Sequence, residues 1–217
     1  MCRLFGFRSV IQGQVHTSLV EAENALGVQS FNHPDGWGVA YYLSDAPHLI
    51  KSEHSAVKDN LFKKVSGVVS SQTVLAHIRK ATHGSKTVLN THPFQYGKWI
   101  FAHNGNINNF KTHKKQLLSN IPEHLRRFIL GETDSEIIFY YLLSKISECS
   151  DLSSTSIDLN QLYEKISIGI QEIIDIIGEC TNEKVCNRED KNYLSFIITN
   201  GPSMLAYNGG KKLFYST

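Results

Sequence analysis

The sequence predicts an α+β layered domain, with antiparallel sheet at its centre and helices packed outside. Strand-like runs alternate apolar and polar residues, and they arrive in blocks joined by short turns rather than as strict strand–helix–strand units. Two later segments instead carry apolar residues three and four apart, each with its own start or stop signal. The 217 residues are enough to bury a core as a single domain, 1–217, and no composition break demands a second.

Residues 4–10 read as a strand that begins almost at the N-terminus. Residues 17–29 read as a helix, with Leu19, Ala22 and Leu26 at helical spacing. Asn32-His33-Pro34-Asp35-Gly36 is a turn by composition, and residues 37–43 form the next strand. Residues 57–65 look helical. Residues 73–78 form a strand with Val74, Ala76 and Ile78 on one face and Leu75 and His77 on the other.

A polar loop follows over 79–92. Residues 99–102 form a strand that runs into His103-Asn104-Gly105, read as a sharp turn. Thr133-Asp134-Ser135-Glu136 has the form of a capping box ahead of the apolar stripe Ile137, Ile138, Tyr141 and Leu142. A second helix carries Leu159, Leu162, Ile166, Ile170, Ile173 and Ile177 and is closed by Gly178. Residues 181–191 are a charged connector. Short strands over 193–199 and 204–207 flank an Asn200-Gly201 turn, and 212–215 is a candidate third strand.

Charge excludes little but supports less. The net charge is +2, and the basic residues are spread along the chain apart from pairs such as Lys114-Lys115 and Arg126-Arg127. Neither nucleic acid nor membrane is indicated as a partner. The N-terminus lacks the apolar run of a signal peptide, and no segment approaches the roughly 20 apolar residues of a membrane helix. The four cysteines are scattered, so reduced thiols in a cytoplasm are the expectation.

Cys2 becomes the chain terminus once Met1 is clipped. It then holds a thiol and a free α-amine on one residue. The amine, with a pKa of roughly 7.7–8.0, can take the thiol proton near neutral pH. The structural alternative is a small buried hydrophobe on the first strand. Asn104 and Gly105 could supply a side-chain NH₂ and a backbone N–H to a tetrahedral oxyanion, or be a plain Asn-Gly turn. Arg79 suits a substrate carboxylate, or is a solvated surface residue. Asp134 suits a substrate ammonium, although an acid in a helix's first turn is favoured in any case. His77, His83, His92 and His103 invite a metal, but their spacings fit no short zinc pattern, and no metal site is expected.

The order of these features carries more than any one of them. An N-terminal Met-Cys is followed by Asp35-Gly36-Trp37-Gly38, then Ala76-His77-Ile78-Arg79 with Ala81-Thr82-His83-Gly84. Asn90-Thr91-His92-Pro93-Phe94, Ala102-His103-Asn104-Gly105 and Gly131-Glu132-Thr133-Asp134-Ser135-Glu136 come next. This ordered set strongly resembles the class II glutamine amidotransferases, which are N-terminal nucleophile hydrolases. It looks closest to their short, free-standing branch, some members of which act on γ-glutamyl compounds other than glutamine.

The resemblance implies a four-layer αββα sandwich of two antiparallel sheets between helix layers. It implies Cys2 as nucleophile, Asn104 and Gly105 as oxyanion hole, Arg79 on the α-carboxylate of glutamine and Asp134 on its α-ammonium. Thr82 and His83 fall in the family's substrate loop and would line the pocket. His92 and His103 would stand behind the residues that touch substrate. No organic cofactor is called for. The substrate would be glutamine or another γ-glutamyl amide; an ammonia-accepting synthase partner and a homodimer both stay open. Relatives of the branch usually continue past the point matching Thr217, so the last strands of one sheet are expected to be shortened or absent. Lys80 stands where some multidomain relatives have an aromatic residue. Two rival readings remain: a non-catalytic γ-glutamyl- or partner-binding module, and a His-based metallohydrolase.

Overall fold

The computed structural model describes residues 2–180 and 191–216. Among these residues, β1 (Arg3–Gln14), β2 (Trp37–Leu43), β3 (Ala46–Ser52) and β4 (Ser70–Ile78) build one sheet. A second holds β5 (Phe94–Tyr96), β6 (Trp99–Asn106), β7 (Tyr193–Thr199) and β8 (Met204–Tyr207). The helices are α1 (Leu26–Gln29), α2 (Asn60–Val68), α3 (Phe110–Ser119), α4 (Glu123–Arg126), α5 (Asp134–Ile146) and α6 (Leu159–Ile177).

The strand orders are β1-β4-β2-β3 and β5-β6-β7-β8, and every neighbouring pair is antiparallel. Strand alternation sorts the side chains into layers. Ala40, Tyr42 and Leu75 of the first sheet meet Ile100, Ala102 and Ile197 of the second. Outside the first sheet, Val39, Val74, Ala76 and Ile78 pack with Leu26 of α1 and Phe62 and Val65 of α2. Outside the second, Phe101, Phe196 and Ile198 pack with apolar residues of α3, α5 and α6. The result is the four-layer αββα sandwich. Each fully buried Leu, Ile or Phe in these layers contributes about 1.5–3 kcal/mol.

Several local expectations change. The helix expected over 17–29 is broken: Thr17–Glu21 makes one wide turn, Ala22 is extended at ψ 148°, and α1 covers four residues. The exposed Glu23 and Asn24 lie at the break, which lets both Leu19 and Leu26 reach one core. His103-Asn104-Gly105 is not a turn. These residues continue β6, because β7 pairs with them in register, His103 opposite Phe196, Asn104 opposite Ser195 and Gly105 opposite Leu194. Residues 212–215 form no strand, and Phe214 and Tyr215 are 90% and 94% exposed. Residues 181–190 of the charged connector, with Cys186, lie outside the described residues.

Elements that the sequence did not announce are β3, β5, α3 and α4. The β2–β3 hairpin closes through Ser44 and Asp45, both at positive φ (49° and 62°), without the Asn-Gly or Asp-Gly pair that usually marks such a loop. At the start of α5, Thr133 accepts the Glu136 N–H as the capping box predicts. The reciprocal half is not made; Glu136 instead accepts the N–H groups of Leu130 (3.1 Å) and Gly131 (2.7 Å) and so fixes the loop before the helix. Among the described residues no helix is long and apolar enough to cross a membrane.

Candidate active site

Strand parity puts Cys2, His77 and Asn104 on the inner side, with Arg79 just past the end of β4. In β1, Leu4 belongs to the layer between the sheets, so Cys2, two residues earlier, continues that inner face. In β4, Leu75 and His77 point inward, and Arg79 follows one step beyond the strand. In β6, Ile100 and Ala102 are inner, which puts Asn104 on the same side, while His103 faces α5. Arg3 pairs with Ile78, so the start of β1 lies beside the end of β4.

The Cys2 thiol is half-buried and sits against Lys80, whose N–H points at Sγ from 3.4 Å and whose carbonyl lies at 3.5 Å. Burial pushes the thiol pKa up. The Lys80 N–H and the Arg79 charge pull it down, and the Asp134 carboxylate raises it. Arg79 and Asp134 therefore both act electrostatically on this sulfur.

Arg79 is buried, not a solvated surface residue. Its guanidinium donates to the carbonyls of His83 (2.9 Å), Gly84 (3.3 Å) and Ser85 (2.9 Å). The loop it holds is tied at two further points. Asp35 accepts the Ala81 N–H (2.9 Å) and forms an ion pair with Lys86. Glu132 accepts the N–H and hydroxyl of Ser85, and Asn90 accepts the Glu132 N–H at 2.8 Å. Asp35, Asn90 and Glu132 are the site residues that sequence reasoning left out. Their signal was their place inside the motif blocks, where no chemical role singled them out.

Asp134 is buried at the first position of α5. One carboxylate oxygen accepts the Ile107 N–H (2.9 Å) just after β6, and the other accepts the Ser135 N–H (2.8 Å). The helix-start role is thus realised, and a carboxylate has lone pairs left for an ammonium. Asn104 makes no side-chain hydrogen bond to any described residue, and its Oδ1 is buried without a partner. An unengaged amide facing the inner space is what an oxyanion donor requires. Gly105 is required by packing. A Cβ there would overlap the His103 ring and the Tyr193 carbonyl.

Burial lowers the pKa of His77, His92 and His103. His103, kept neutral, donates Nε2–H to the Tyr193 carbonyl (3.1 Å) and takes the Ser135 hydroxyl at Nδ1 (2.9 Å). His77 donates to the His103 carbonyl (3.2 Å), linking the two sheets, and its ring lies 4.2 Å from that of His92. Neither nitrogen of His92 has a partner among the described residues. Thr82 is exposed, and the His83 ring packs on Phe110 at 5.4 Å. Among the described residues no three His, Cys, Asp or Glu side chains are grouped to hold a metal ion.

A family model described as class II glutamine amidotransferases matches residues 1–215. A probable glutamine amidotransferase of Saccharomyces cerevisiae is 29% identical over 227 residues, covering 94% of this chain and 62% of its own length. A γ-glutamyl-hercynylcysteine sulfoxide hydrolase of Mycobacterium tuberculosis is 31% identical over 115 residues, 48% of this chain and 49% of that one. The solved structure of a class-II glutamine aminotransferase domain protein from Silicibacter pomeroyi superposes with a TM-score of 0.55 at 26% identity, covering 80% of this chain and 68% of that one. The chain therefore spans less than two thirds of the yeast relative's length.

Proposed function

The chain belongs to the class II glutamine amidotransferases, and from that premise we propose that it hydrolyses a γ-glutamyl amide through a thioester on Cys2. The observation that carries the reading is the meeting of three groups. A half-buried thiol lies under the influence of Arg79 and of Asp134, cation and anion suited to the two ends of an amino acid's α-carbon.

The steps follow from the groups. With Met1 removed, the α-amine of Cys2 takes the thiol proton, and the sulfur attacks the γ-carbonyl carbon. The oxyanion rests on the Asn104 amide and the Gly105 N–H. The intermediate collapses as the C–N bond breaks, and the ammonium proton goes to the departing ammonia or amine. Water then adds to the thioester, the C–S bond breaks, and glutamate leaves with the thiol restored. Arg79 would exchange its loop carbonyls for the substrate carboxylate, with His83 and Thr82 beside it. His92, packed on His77 and Phe94, and His103, bonded to Ser135 and Tyr193, would act from behind by keeping the strands around the site in place. Residues 1–217 act as one amidotransferase unit, and the mycobacterial relative's name supports a γ-glutamyl substrate.

The test is a screen of glutamine, glutathione and other γ-glutamyl amides for released glutamate, with Cys2→Ala as control and intact mass to establish Met1 removal. Glutamate release that survives in Cys2→Ala sinks the proposal. Retained Met1 with no turnover on any substrate leaves the binding-module reading in its place.

A further inference from the structure

Cys2 lies one step beyond the sheet. The β1–β4 ladder starts with Arg3 opposite Ile78, so among the described residues Cys2 has no ladder partner. Chain ends fray unless they are tied down. A nucleophile that uses its own α-amine as base needs the opposite. Thiol and amine share one Cα, and two torsions decide where they lie. χ1 places the sulfur relative to the amine, and ψ turns the whole Cα unit relative to the strand. An error of about 1 Å in such a placement costs on the order of 100-fold in rate.

Both torsions are restrained. The Lys80 N–H, 3.4 Å from Sγ, holds the thiol. The Arg3 guanidinium donates Nη1–H to the Cys2 carbonyl at 3.0 Å, which holds ψ. The same guanidinium donates Nε–H to the Gln29 side-chain oxygen at 2.8 Å. The Gln29 amide is tied at its other end as well, where its NH₂ donates to the Asn24 carbonyl.

Gln29 stands on fixed ground. It closes α1, whose Leu26 is buried in the core outside the first sheet. The Ser30 hydroxyl donates to the Gly27 carbonyl (2.7 Å) and accepts the Val57 N–H (2.8 Å), and the His33 Nδ1–H donates to the Gln29 carbonyl (2.7 Å). Arg3 forms no ion pair among the described residues. Its donors go to a neutral amide and to the carbonyl of the nucleophile, an arrangement that orients rather than neutralises.

We propose that Gln29 is a positioning residue for catalysis. Acting through Arg3, it fixes the carbonyl of the terminal cysteine, and with it the direction in which thiol and α-amine meet the substrate. This rests on the Cys2 thioester reading above and adds to it a residue outside every motif block. The rival is a plain polar tie between β1 and α1.

The experiment uses full-length protein with Met1 removal established by intact mass. Wild type is compared with Gln29→Leu, Gln29→Glu and Arg3→Gln, and circular dichroism and thermal unfolding check each fold. Glutamate release from the best substrate of the screen above gives kcat and KM. Iodoacetamide labelling, read on the N-terminal peptide, reports how freely Cys2 reacts. Gln29→Leu removes the acceptor for Arg3. It is expected to lower kcat roughly tenfold with KM nearly unchanged, because Arg79 and Asp134 still hold the substrate. Cys2 labelling should rise at the same time, since burial is the chief influence raising its pKa and a loosened terminus escapes it. Gln29→Glu keeps an acceptor for Arg3 and should restore most of kcat. Arg3→Gln should reproduce Gln29→Leu, and the double variant should be no worse than either single one.

Wild-type kcat in folded Gln29→Leu, or a rise in KM alone, overturns the proposal. Equal losses in Gln29→Leu and Gln29→Glu with labelling unchanged also overturn it, in favour of the plain tie. If Gln29→Leu does not fold, Arg3→Gln decides by the same two readouts. The catalytic reading fails separately. Wild-type protein that releases no glutamate from any substrate refutes turnover, while faster Cys2 labelling in Gln29→Leu but not in Gln29→Glu leaves the hold of Gln29 on Cys2 standing.

Discussion

Lys80 offers both its backbone N–H, at 3.4 Å, and its carbonyl, at 3.5 Å, to the Cys2 thiol. The N–H favours the thiolate and burial favours the thiol, and burial is the larger influence. Before Met1 is removed, alkylation of Cys2 by iodoacetamide should therefore be slow at neutral pH. Its rate should keep climbing beyond the ordinary thiol value of 9.0. A plateau well below that value would mean that Lys80 and Arg79 outweigh burial.

The buried histidines predict acid sensitivity. His77 is pushed down to about 3, and His92 and His103 are also lowered, from an ordinary value of 6.5. The unfolded chain then binds protons that the folded chain refuses, so stability is intact above 6.5 and is lost as pH falls toward the folded values. Each such histidine steepens the loss by about 1.4 kcal/mol per pH unit. His92→Phe, which keeps a ring beside Phe94 and His77, should flatten the slope by about one proton in urea denaturation followed from neutral to acid pH. An unchanged slope would show that His92 already takes up its proton in the fold.

Glu132 is exposed, yet it gathers the N–H and hydroxyl of Ser85 and stands opposite Asn90. Glu132→Ala should leave thermal stability nearly unchanged. It should raise KM for the γ-glutamyl substrate several-fold, because the carbonyls of 83–85 that face Arg79 lose their anchor. A fall in kcat with KM unchanged would argue against a role in holding the loop.

At the start of α5, Thr133→Ala removes the acceptor for the Glu136 N–H and should cost about 1 kcal/mol in denaturant unfolding. The loss should fall on stability rather than on the ratio of rates between substrates.

Gly105→Ala should be much more damaging, at about 3 kcal/mol or more, since the added methyl meets the His103 ring and the Tyr193 carbonyl inside a paired strand. Folded, wild-type-like stability in this variant would show that the β6–β7 pairing can open at no great cost.

The motif blocks themselves, the face shared by Leu75 and His77, the Thr133 cap and the long stripe of α6 are written locally, within one strand, one turn or a few helical turns. They determined the α+β class and, through the resemblance they carry, the proposal of Cys2, Arg79 and Asp134 as nucleophilic and charged groups of the site. Other features depend on chain segments tens of residues apart. Pairing with β7 overrode the Asn104-Gly105 turn signal, and Ile107 found the Asp134 carboxylate. The fold also brought Gln29 of α1 to the Arg3 guanidinium. A period of two or 3.6 reports which way a side chain faces. Which partner waits there is decided by long-range pairing and packing, and that information exists only once the layers have closed.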